Sequence, residues 1–392
     1  MVKSNGKENL YALVESMQGK MNEISDFIHD NPELGNNEVK AHKLLTEIFA
    51  AHGFTVETEV SGLATAFRAT YRIGTGGPNI GLLCEYDALK GLGHGCGHNM
   101  QAAAITGAAL GLAQGLSDTP ATIIVYGTPA EETTSGKIPM SKAGVFDDLD
   151  VALMMHASDR TTVDSKSLAV NAVDFIFEGK SAHAAIAPDK GISALDAVLM
   201  TFNGIEYLRE HVRSDVRIHG IITDGGKAAN IVPERAAAQF YIRANDRPHL
   251  DTVVERVYNV ARGAALATGA KLTINEVKAY DNKINVEALN EMLLAHAKIA
   301  GAKCITPPRQ FTGSTDFSCV TYRVPGACLR VAFVPLDTPS HSMEWVLAAK
   351  SPEAYESILV AAKALAGSCY ELVKNPDLLR KMKLDFESSK KK

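Results

Sequence analysis

The stretch NIGLLCEYDALKGLGHGCGHNM, Asn79–Met100, decides how this chain folds. It begins as a short apolar run, which is typical of a β-strand, and the small residues after Met100 predict a helix. Between them lies a glycine-rich turn in which Cys96 and His98 stand two residues apart. Such a turn lets neighbouring side chains converge on one metal ion without backbone strain. The stretch therefore predicts a strand, a turn that carries metal ligands, and a helix.

Further candidate ligands lie outside this stretch, at Glu131, Glu132, His156 and His341. One cysteine, three histidines and one glutamate are more donors than a single tetrahedral ion with an open position needs. They suit two ions that share a ligand, an arrangement found in many amide hydrolases. Taken singly, each residue also fits a buried thiol, a structural histidine or a solvated acidic pair. Together they favour a binuclear metallohydrolase.

The first part of the chain alternates strands with helices, which predicts an α/β domain with a mostly parallel sheet flanked by helices. Ligands of such sheets lie at the carboxyl ends of the strands. Asp87 follows IGLLCEY, Glu131 and Glu132 follow TIIVYG, and His156 follows VALMM, so we expect them to meet at one edge. Because adjacent residues at a strand end point to opposite sides, one glutamate is expected to bind metal and the other to shuttle protons.

The second part of the chain has the order β-α-β-β-α-β, which predicts an inserted ferredoxin-like α+β domain. We place this domain at residues 168–280 and the catalytic metal-binding domain at residues 1–167 and 281–392. His183 of the insert either has a structural role or is brought over the site by domain closure or by a second subunit, to stabilise an oxyanion. Arg243 either binds a substrate carboxylate or forms a salt bridge between domains.

Composition excludes several classes of protein. With 392 residues and a net charge of −5, the chain has no basic excess of the kind that nucleic-acid binders carry. Its apolar stretches are too short to span a bilayer, and its first residues lack the apolar core of a secretion signal. The six cysteines are scattered without a framework spacing, which predicts reduced thiols and a cytoplasmic location.

Several motifs follow one another along almost the whole chain. They are HDNPELGNNE at His29–Glu38, EYDAL at Glu85–Leu89, GHGCGHN at Gly93–Asn99, PAEE at Pro129–Glu132, GKSAHAAIAP at Gly179–Pro188, GGKAANIVPE at Gly225–Glu234, GSTDFS at Gly313–Ser318, and His341. In this order they resemble the binuclear aminoacylase/carboxypeptidase-type metallopeptidases. More narrowly, the chain resembles their amidohydrolase subfamily, which includes hippurate, auxin-conjugate and p-aminobenzoyl-glutamate hydrolases and β-alanyl-lysine-type dipeptidases.

The resemblance implies two divalent ions per subunit, with Cys96 as the ligand that they share. The implied ligands are Cys96, His98, Glu132, His156 and His341. Thiolate, imidazole and carboxylate donors together suit Zn²⁺, and also Mn²⁺ or Co²⁺. Asp87 would orient the ligands from behind. Glu131 would act on a metal-activated water first as general base and then as general acid.

The resemblance also implies that the inserted domain is a lid and a dimer interface, so that the protein is a homodimer or a larger assembly. His183 would help to stabilise the tetrahedral intermediate across that interface, and Asn230 and Arg243 would meet the carboxylate end of the substrate. No nucleic-acid or membrane partner is expected.

The predicted reaction is hydrolysis of the amide bond in N-acyl amino acids or small dipeptides. The alternatives are a dipeptidase or aminopeptidase that acts on dipeptides with a free amino group, and a non-catalytic binding protein of the same fold. Lys90, Asn99 and Thr315 replace the proline, aspartate and glutamate that are more usual in the family. With the EYDAL form, these departures favour the branch containing the β-alanyl-lysine-type dipeptidases over the auxin-conjugate branch.

Overall fold

The computed structural model describes residues 6–116, 119–308 and 313–390. Residues 1–5, part of the segment that argued against a secretion signal, lie outside this range. The described chain divides into two compact units. The first unit contains the residues up to Lys166, residues 283–308 and the residues from Thr315 onward, and the second contains Ser167–Asn282 with Gly313 and Ser314.

A seven-stranded sheet forms the centre of the first unit. Its strands, numbered along the whole chain, are β1 (Thr55–Thr58), β2 (Phe67–Ile73), β3 (Asn79–Cys84), β4 (Ala121–Gly127), β5 (Val151–Ser158), β6 (Thr162–Val163) and β11 (Gly326–Ala332), in the spatial order β1-β2-β4-β3-β5-β11-β6. The four neighbours β4, β3, β5 and β11 run parallel and are largely buried, as expected for strands covered on both faces. They confirm the predicted parallel core, while β1, β2 and β6 pair antiparallel towards the edges.

Helices cover this sheet. They are α1 (Gly6–Ser16), α2 (Gln18–Asp30), α3 (Val39–Ala51), α4 (His98–Gly115), α5 (Lys137–Lys142), α8 (Glu287–Ile299), α9 (Phe317–Thr321), α10 (Met343–Ala348), α11 (Pro352–Lys374) and α12 (Pro376–Ser389), with a short 3-10 helix at Val60–Gly62. Residues 6–30 form two helices, α1 and α2, which are divided at Met17. The helix at the C-terminus is likewise divided, because Asn375 ends α11 and its side chain caps α12.

Helix α4 is buried along almost its whole length, because its small residues admit other helices at close range. A Cβ added at Gly107 would lie 2.1 Å from the sulfur of Met21, and one at Gly111 would lie 2.5 Å from a methyl of Val14. Helices α1, α2 and α11 pack against it. The apolar stretch after Met100 is therefore the central helix of the first unit, and it begins at the glycine-rich turn.

The second unit has the predicted β-α-β-β-α-β order. Its elements are β7 (Ala169–Glu178), α6 (Ala194–Arg209), β8 (Arg217–Asp224), β9 (Arg235–Ala244), α7 (Arg247–Thr268) and β10 (Lys271–Tyr280), with a 3-10 helix at Pro188–Lys190. The strands form an antiparallel sheet in the order β10-β7-β9-β8, and α6 and α7 bury their apolar faces with it in a core separate from that of the first unit. This confirms the ferredoxin-like α+β fold. Its roles as lid and dimer interface stay predictions.

Across the described residues, no helix combines the length and the apolar character needed to cross a membrane.

Candidate active site

The predicted ligands of the first unit meet at the carboxyl ends of the parallel strands. Groups of their nitrogen, sulfur and oxygen ligand atoms lie within 4.8 Å of one another. These groups are Cys96–His98–His156, Cys96–Glu132–His341, His98–Glu131–Glu132 and Glu85–Glu131–Asp316. Cys96 belongs to the first two groups. The structure therefore brings together the five predicted ligands and Glu131, and it adds Glu85 and Asp316, for which sequence reasoning assigned no role.

His98 is fully buried and is oriented by Asp87. Its Nδ1 lies 3.0 Å from both the backbone oxygen and Oδ1 of Asp87, so Nδ1–H donates to Asp87 and Nε2 is the nitrogen left for a metal ion. Nε2 is buried and makes no hydrogen bond, and Oε2 of Glu85 lies 3.3 Å from it. Because buried polar atoms are almost always satisfied, an unpartnered imidazole nitrogen whose other nitrogen is held by a carboxylate is the arrangement of a metal ligand.

His156, on β5, faces the thiol of Cys96. Its Nε2 lies 3.4 Å from the Cys96 sulfur, and its Nδ1 lies 2.8 Å from the backbone oxygen of Ala157 and 3.3 Å from Nη1 of Arg330. Burial and the neighbouring Arg330 guanidinium lower the pKa of His156 to about 3, so the imidazole is neutral, as a metal ligand must be. Burial raises the pKa of the Cys96 thiol, which a coordinated divalent cation would ionise.

His341 reaches the same place from a distant part of the chain. Its backbone N–H donates to the oxygen of Gly95 at 3.0 Å, and its Nε2 lies 3.7 Å from Oε1 of Glu132. That Glu132 oxygen is buried without a hydrogen-bond partner. The His341 side chain is half exposed, so it borders the open side of the cluster.

A glycine between Cys96 and His98 is required by the backbone. Gly97 has φ +80°, and a Cβ there would lie 2.4 Å from the Cβ of Ala157. Only glycine accepts both the left-handed conformation and this approach without strain. Gly97 thus lets α4 begin at His98 directly beside β5, which carries His156.

Glu131 and Glu132 do not lie at a strand end. They belong to a turn, Pro129–Gly136, called here the glutamate turn, in which Ala130 and Ser135 have φ +62°. The Ser135 N–H donates to the oxygen of Ala130 at 2.6 Å and closes the turn. The expected alternation of the two glutamates to opposite sides is wrong, because strand geometry ends before Ala130. Both carboxylates instead come within 4.8 Å of the same His98 nitrogen.

Three buried carboxylates hold the glutamate turn. Oε1 of Glu38 accepts the N–H of Ala130 at 2.7 Å, Oδ2 of Asp87 accepts the N–H of Glu132 at 2.9 Å, and Oδ2 of Asp316 accepts the N–H of Lys137 at 3.3 Å. Glu38 belongs to the motif HDNPELGNNE and Asp316 to GSTDFS, and neither motif by itself indicates a role for these residues. In the sequence, the only signal for Glu38 and Asp316 is that each lies in a short polar motif. The hydrogen bonds that they make could not be predicted, because their partners are distant in the chain.

Charge accumulates around Glu131. Burial and the carboxylates of Glu85, Asp316 and Glu132 raise the pKa of Glu131 well above its usual range. A carboxyl group shifted in this direction is suited to accept and release a proton near neutral pH. The arrangement supports acid–base chemistry beside the two ligand groups.

The predicted residues of the second unit lie on its loops and on β9. His183 is exposed, its Nδ1 accepts the N–H of Ala185 at 3.3 Å, and its backbone bridges to Ile231. Asn230 is also exposed, and its backbone oxygen accepts the N–H of Ala184 at 3.0 Å. Backbone pairing between two loop segments thus holds His183 and Asn230 near each other.

Arg243 lies on β9 and is partly buried. Its Nη1 donates to the hydroxyl of Ser314 at 2.9 Å, and its guanidinium lies 5.5 Å from the centre of the Tyr241 ring. These contacts hold the guanidinium within the second unit. The substrate-binding roles of Arg243, Asn230 and His183 stay predictions.

Comparison with known proteins decides the family. Residues 77–366, most of the chain, match the sequence model of Peptidase family M20/M25/M40. The chain belongs to this family. The resemblance inferred from the motifs is thereby confirmed, and the protein is a metal-dependent hydrolase of peptide or amide bonds.

Relatives of the M20 family are similar over nearly the full length. The chain is 34% identical to the Xaa-Arg dipeptidase of Mus musculus, over 95% of this chain and 90% of that protein. It is 29% identical to a subunit of the p-aminobenzoyl-glutamate hydrolase of Escherichia coli, over 95% of this chain and 93% of that protein. A dinuclear metal-binding M20 peptidase from Bacillus subtilis shares the fold, with a TM-score of 0.67 and 18% identity over 91% of this chain and 98% of that one.

The donor set of this M20 protein fits divalent metal. His98 Nε2 and Glu132 Oε1 are buried ligand atoms without hydrogen-bond partners, and His156 is neutral. Thiol, imidazole and carboxylate groups within 4.8 Å of one another form the mixed shell that borderline divalent ions prefer.

Proposed function

We propose that this M20-family protein hydrolyses the amide bond of N-acyl amino acids or of small dipeptides. The observation that carries the proposal is the position of Glu131. Its carboxylate lies within 4.8 Å of ligand atoms of His98 and Glu132, beside two ligand groups that share Cys96. The names of the relatives, a dipeptidase and a p-aminobenzoyl-glutamate hydrolase, belong to the same class of bond cleavage.

Two divalent ions per subunit, Zn²⁺ or Mn²⁺ with Co²⁺ as a third choice, are proposed for the cluster. The proposed ligands are Cys96, His98, Glu132, His156 and His341, with Cys96 shared. When bound, such ions lower the pKa of a water molecule and polarise the scissile carbonyl. Asp87 orients His98 and, through its second oxygen, the backbone of Glu132.

Glu131 is the proposed general base and acid. It takes the proton from the attacking water and delivers it to the leaving nitrogen. The direction of its pKa shift supports this double duty, because a carboxylate that is more basic than usual is better suited to accept a proton and pass it on. His183 is proposed to stabilise the oxyanion, and Asn230 and Arg243 to bind the carboxylate end of the substrate.

The inserted domain, predicted at residues 168–280, is proposed to act as lid and to mediate a homodimer. Its edge strand β8 exposes Ile221 and Ile222, and its helix α6 exposes Tyr207. An exposed apolar edge strand favours pairing with another chain. Light scattering should give a dimer for the wild type and a monomer for Ile221→Lys, whereas Leu384→Lys, at an equally exposed leucine of α12, should stay dimeric.

A cytoplasmic location is proposed as well. No disulfide joins cysteines among the described residues, which supports a reducing compartment.

The dipeptidase alternative receives its support from the names of relatives. The Xaa-Arg dipeptidase of Mus musculus is 34% identical, and its name specifies a dipeptide substrate. A dipeptide with a free amino group requires an acidic or carbonyl partner in the acyl pocket. The choice between N-acyl amino acids and dipeptides is therefore one of pocket chemistry rather than of mechanism.

A competition experiment tests the proposal. Protein loaded with Zn²⁺ or Mn²⁺ would meet a pooled panel of N-acyl amino acids, p-aminobenzoyl-glutamate, and dipeptides with basic or β-alanyl residues, followed by mass spectrometry. We expect one subset to be cleaved by the wild type and none by Glu131→Gln, which should retain its metal. An active Glu131→Gln would overturn the assignment of the base, and no cleavage with either metal would overturn the proposed reaction.

A further inference from the structure

Lys137 lies fully buried behind Glu131, between two carboxylates. Its Nζ is 2.5 Å from Oε1 of Glu85 and 2.7 Å from Oδ1 of Asp316, residues 52 and 179 positions away in the chain. Burial favours the neutral amine, but Asp316, Glu85 and Glu131 outweigh it and raise the pKa of Lys137 well above its usual range. Lys137 is therefore a permanent cation in the interior, where lysine is rarely found unless it is paired.

Stability alone does not account for this ion pair. The free-energy cost of removing two charges from water offsets most of their attraction. Apolar residues of similar volume can therefore often replace a buried ion pair without loss of stability. Lys137, as an ammonium group, has no lone pair to offer a metal ion. Its place in the chain suggests another role, because it follows the glutamate turn directly and begins α5.

Asp316 holds Lys137 at two points. Its Oδ1 accepts from Nζ, and its Oδ2 accepts the backbone N–H of the same residue at 3.3 Å. The end of the glutamate turn is thereby tied to the start of α9, as its beginning is tied to Glu38 through Ala130. The residues with left-handed backbone are Ala130, at the first anchor, and Ser135, between the two anchors. Such a conformation persists only where the surroundings enforce it.

The positive charge of Lys137 also offsets the repulsion among three carboxylates that lie close together. Oxygens of Glu85, Glu131 and Asp316 lie within 4.8 Å of one another, where like charges repel strongly in a buried setting. Lys137 binds Glu85 and Asp316 directly and acts on Glu131 through its charge. On its other side, Oε2 of Glu85 accepts from Gln101 at 2.8 Å and lies 3.3 Å from Nε2 of His98.

We propose that Lys137 is a positioning residue of the active site, which anchors the glutamate turn and balances Glu85 and Asp316 so that the Glu131 carboxylate is held beside the metal ligands. The inference rests on the proposed function, in which Glu131 moves the proton. Lys137 itself touches neither the metal ligands nor the reacting atoms in this role.

The test separates position from folding. Lys137→Met alone leaves two buried carboxylates without a cation and would compromise folding. The double variant Lys137→Met/Asp316→Asn keeps the net charge of the wild type and nearly the same volume. Its matched control is Lys363→Met/Glu15→Gln, which removes a 2.9 Å ion pair between α11 and α1.

We expect kcat of the Lys137 double variant, on the substrate that the wild type cleaves best, to fall about 100-fold, as for a misplacement of about 1 Å. KM and the metal affinity, measured by competition with a chelator, should stay at wild-type values, and the control should keep wild-type kcat. Lys137→Arg, which retains the cation, should lose less kcat than the double variant does. Wild-type kcat in the double variant, or a loss of metal affinity equal to the loss of kcat, would overturn the proposal.

A crystal structure of the double variant gives a readout that does not need turnover. We expect the Glu131 carboxylate and the glutamate turn to shift relative to His98, whereas an unmoved Glu131 contradicts the positioning role. A wild type that cleaves no member of the panel counts against the proposed function, and this structural comparison still decides the role of Lys137.

Discussion

Cys96 is the side chain on which two ligand groups converge, since its sulfur lies near His156 and near Glu132 and His341. Serine ionises far less readily than cysteine and is a poor ligand for Zn²⁺. Cys96→Ser should therefore lose metal from both groups, and elemental analysis after gel filtration would measure the loss. Cys369→Ser, at an equally buried thiol of α11, should keep its metal. Full metal content in Cys96→Ser would exclude a shared thiolate.

Glu38 acts on the site through a single backbone hydrogen bond. It accepts the N–H of Ala130 with Oε1 and the hydroxyl of Thr65 with Oε2 at 2.8 Å, so both oxygens are used. Glu38→Gln replaces one accepting oxygen with an NH2 group, which then faces either the N–H of Ala130 or the hydroxyl of Thr65. We expect a loss of about 1–3 kcal/mol in unfolding free energy. Because Ala130 precedes the base, kcat should fall as well.

Denaturant unfolding and steady-state kinetics check the Glu38 prediction. Glu33→Gln is the control, because the Glu33 carboxylate accepts N–H groups of Lys40 and Ala41 at the start of α3 instead of the turn. It should change stability without changing kcat. An equal fall of kcat in both variants would mean that Glu38→Gln lowers kcat through a general loss of stability and not through the glutamate turn.

At the scale of elements, the segment between α2 and α3 packs directly on the glutamate turn. A Cβ added to Gly35 would lie 2.1 Å from Oγ1 of Thr133 and 2.8 Å from the Cα of Ala130, so the turn must move. Gly35→Ala should cost about 1–3 kcal/mol of stability through overpacking and should lower kcat.

Thermal unfolding and kinetics together measure the Gly35 effect. Gly19→Ala, in α2 with open space around the added Cβ, should leave kcat unchanged and stability equal or higher. Thr133→Ala combined with Gly35→Ala removes only the side-chain contact and leaves the contact with the Ala130 backbone. Recovery of kcat in the double variant Gly35→Ala/Thr133→Ala would show that the contact with the Thr133 side chain, and not the contact with the turn backbone, lowers kcat.

At the scale of the whole molecule, Asp164 joins the points where the chain leaves and re-enters the first unit. It binds Lys283 at 3.1 Å and Arg330 at 2.6 Å. Burial alone would raise the pKa of Asp164, but Arg330 and Lys283 lower it well below its usual range. The stabilisation is thus complete above the unfolded value of about 3.9 and is lost as the pH falls through the folded value.

Asp164→Asn should therefore lose about 3–5 kcal/mol of unfolding free energy at pH 7, because a buried ion pair loses one partner. The difference from the wild type should shrink as the pH falls below about 4. Urea unfolding over a pH series measures both. Asp30→Asn removes an exposed pair with Lys350 and should have little effect at any pH. A pH-independent difference for Asp164→Asn would contradict its assignment as an ion pair.

The proximity of the proposed ligands was predictable because the loops that follow strands of a parallel sheet converge at one edge and because cysteine and histidine in a glycine turn carry specific chemistry. The shape of the glutamate turn was not, since nothing in PAEE indicates that Ala130 adopts a left-handed backbone. The buried position of Lys137 could not be predicted for a similar reason. Within TTSGKIPM it looks like a surface residue, and its partner Asp316 lies 179 positions away, so only the fold unites them.

The meeting of Asp164 and Lys283 also bears on the history of such chains. Each unit has its own hydrophobic core, and the two ends of the inserted segment emerge from the first unit next to a direct ion pair. A segment whose ends are neighbours can be gained, lost or exchanged by recombination without rebuilding its host. The proposed ligands and Glu131 all belong to the host, whereas His183, Asn230 and Arg243 belong to the inserted module. The module can therefore diversify in its contacts with the substrate while the proposed metal cluster is inherited intact.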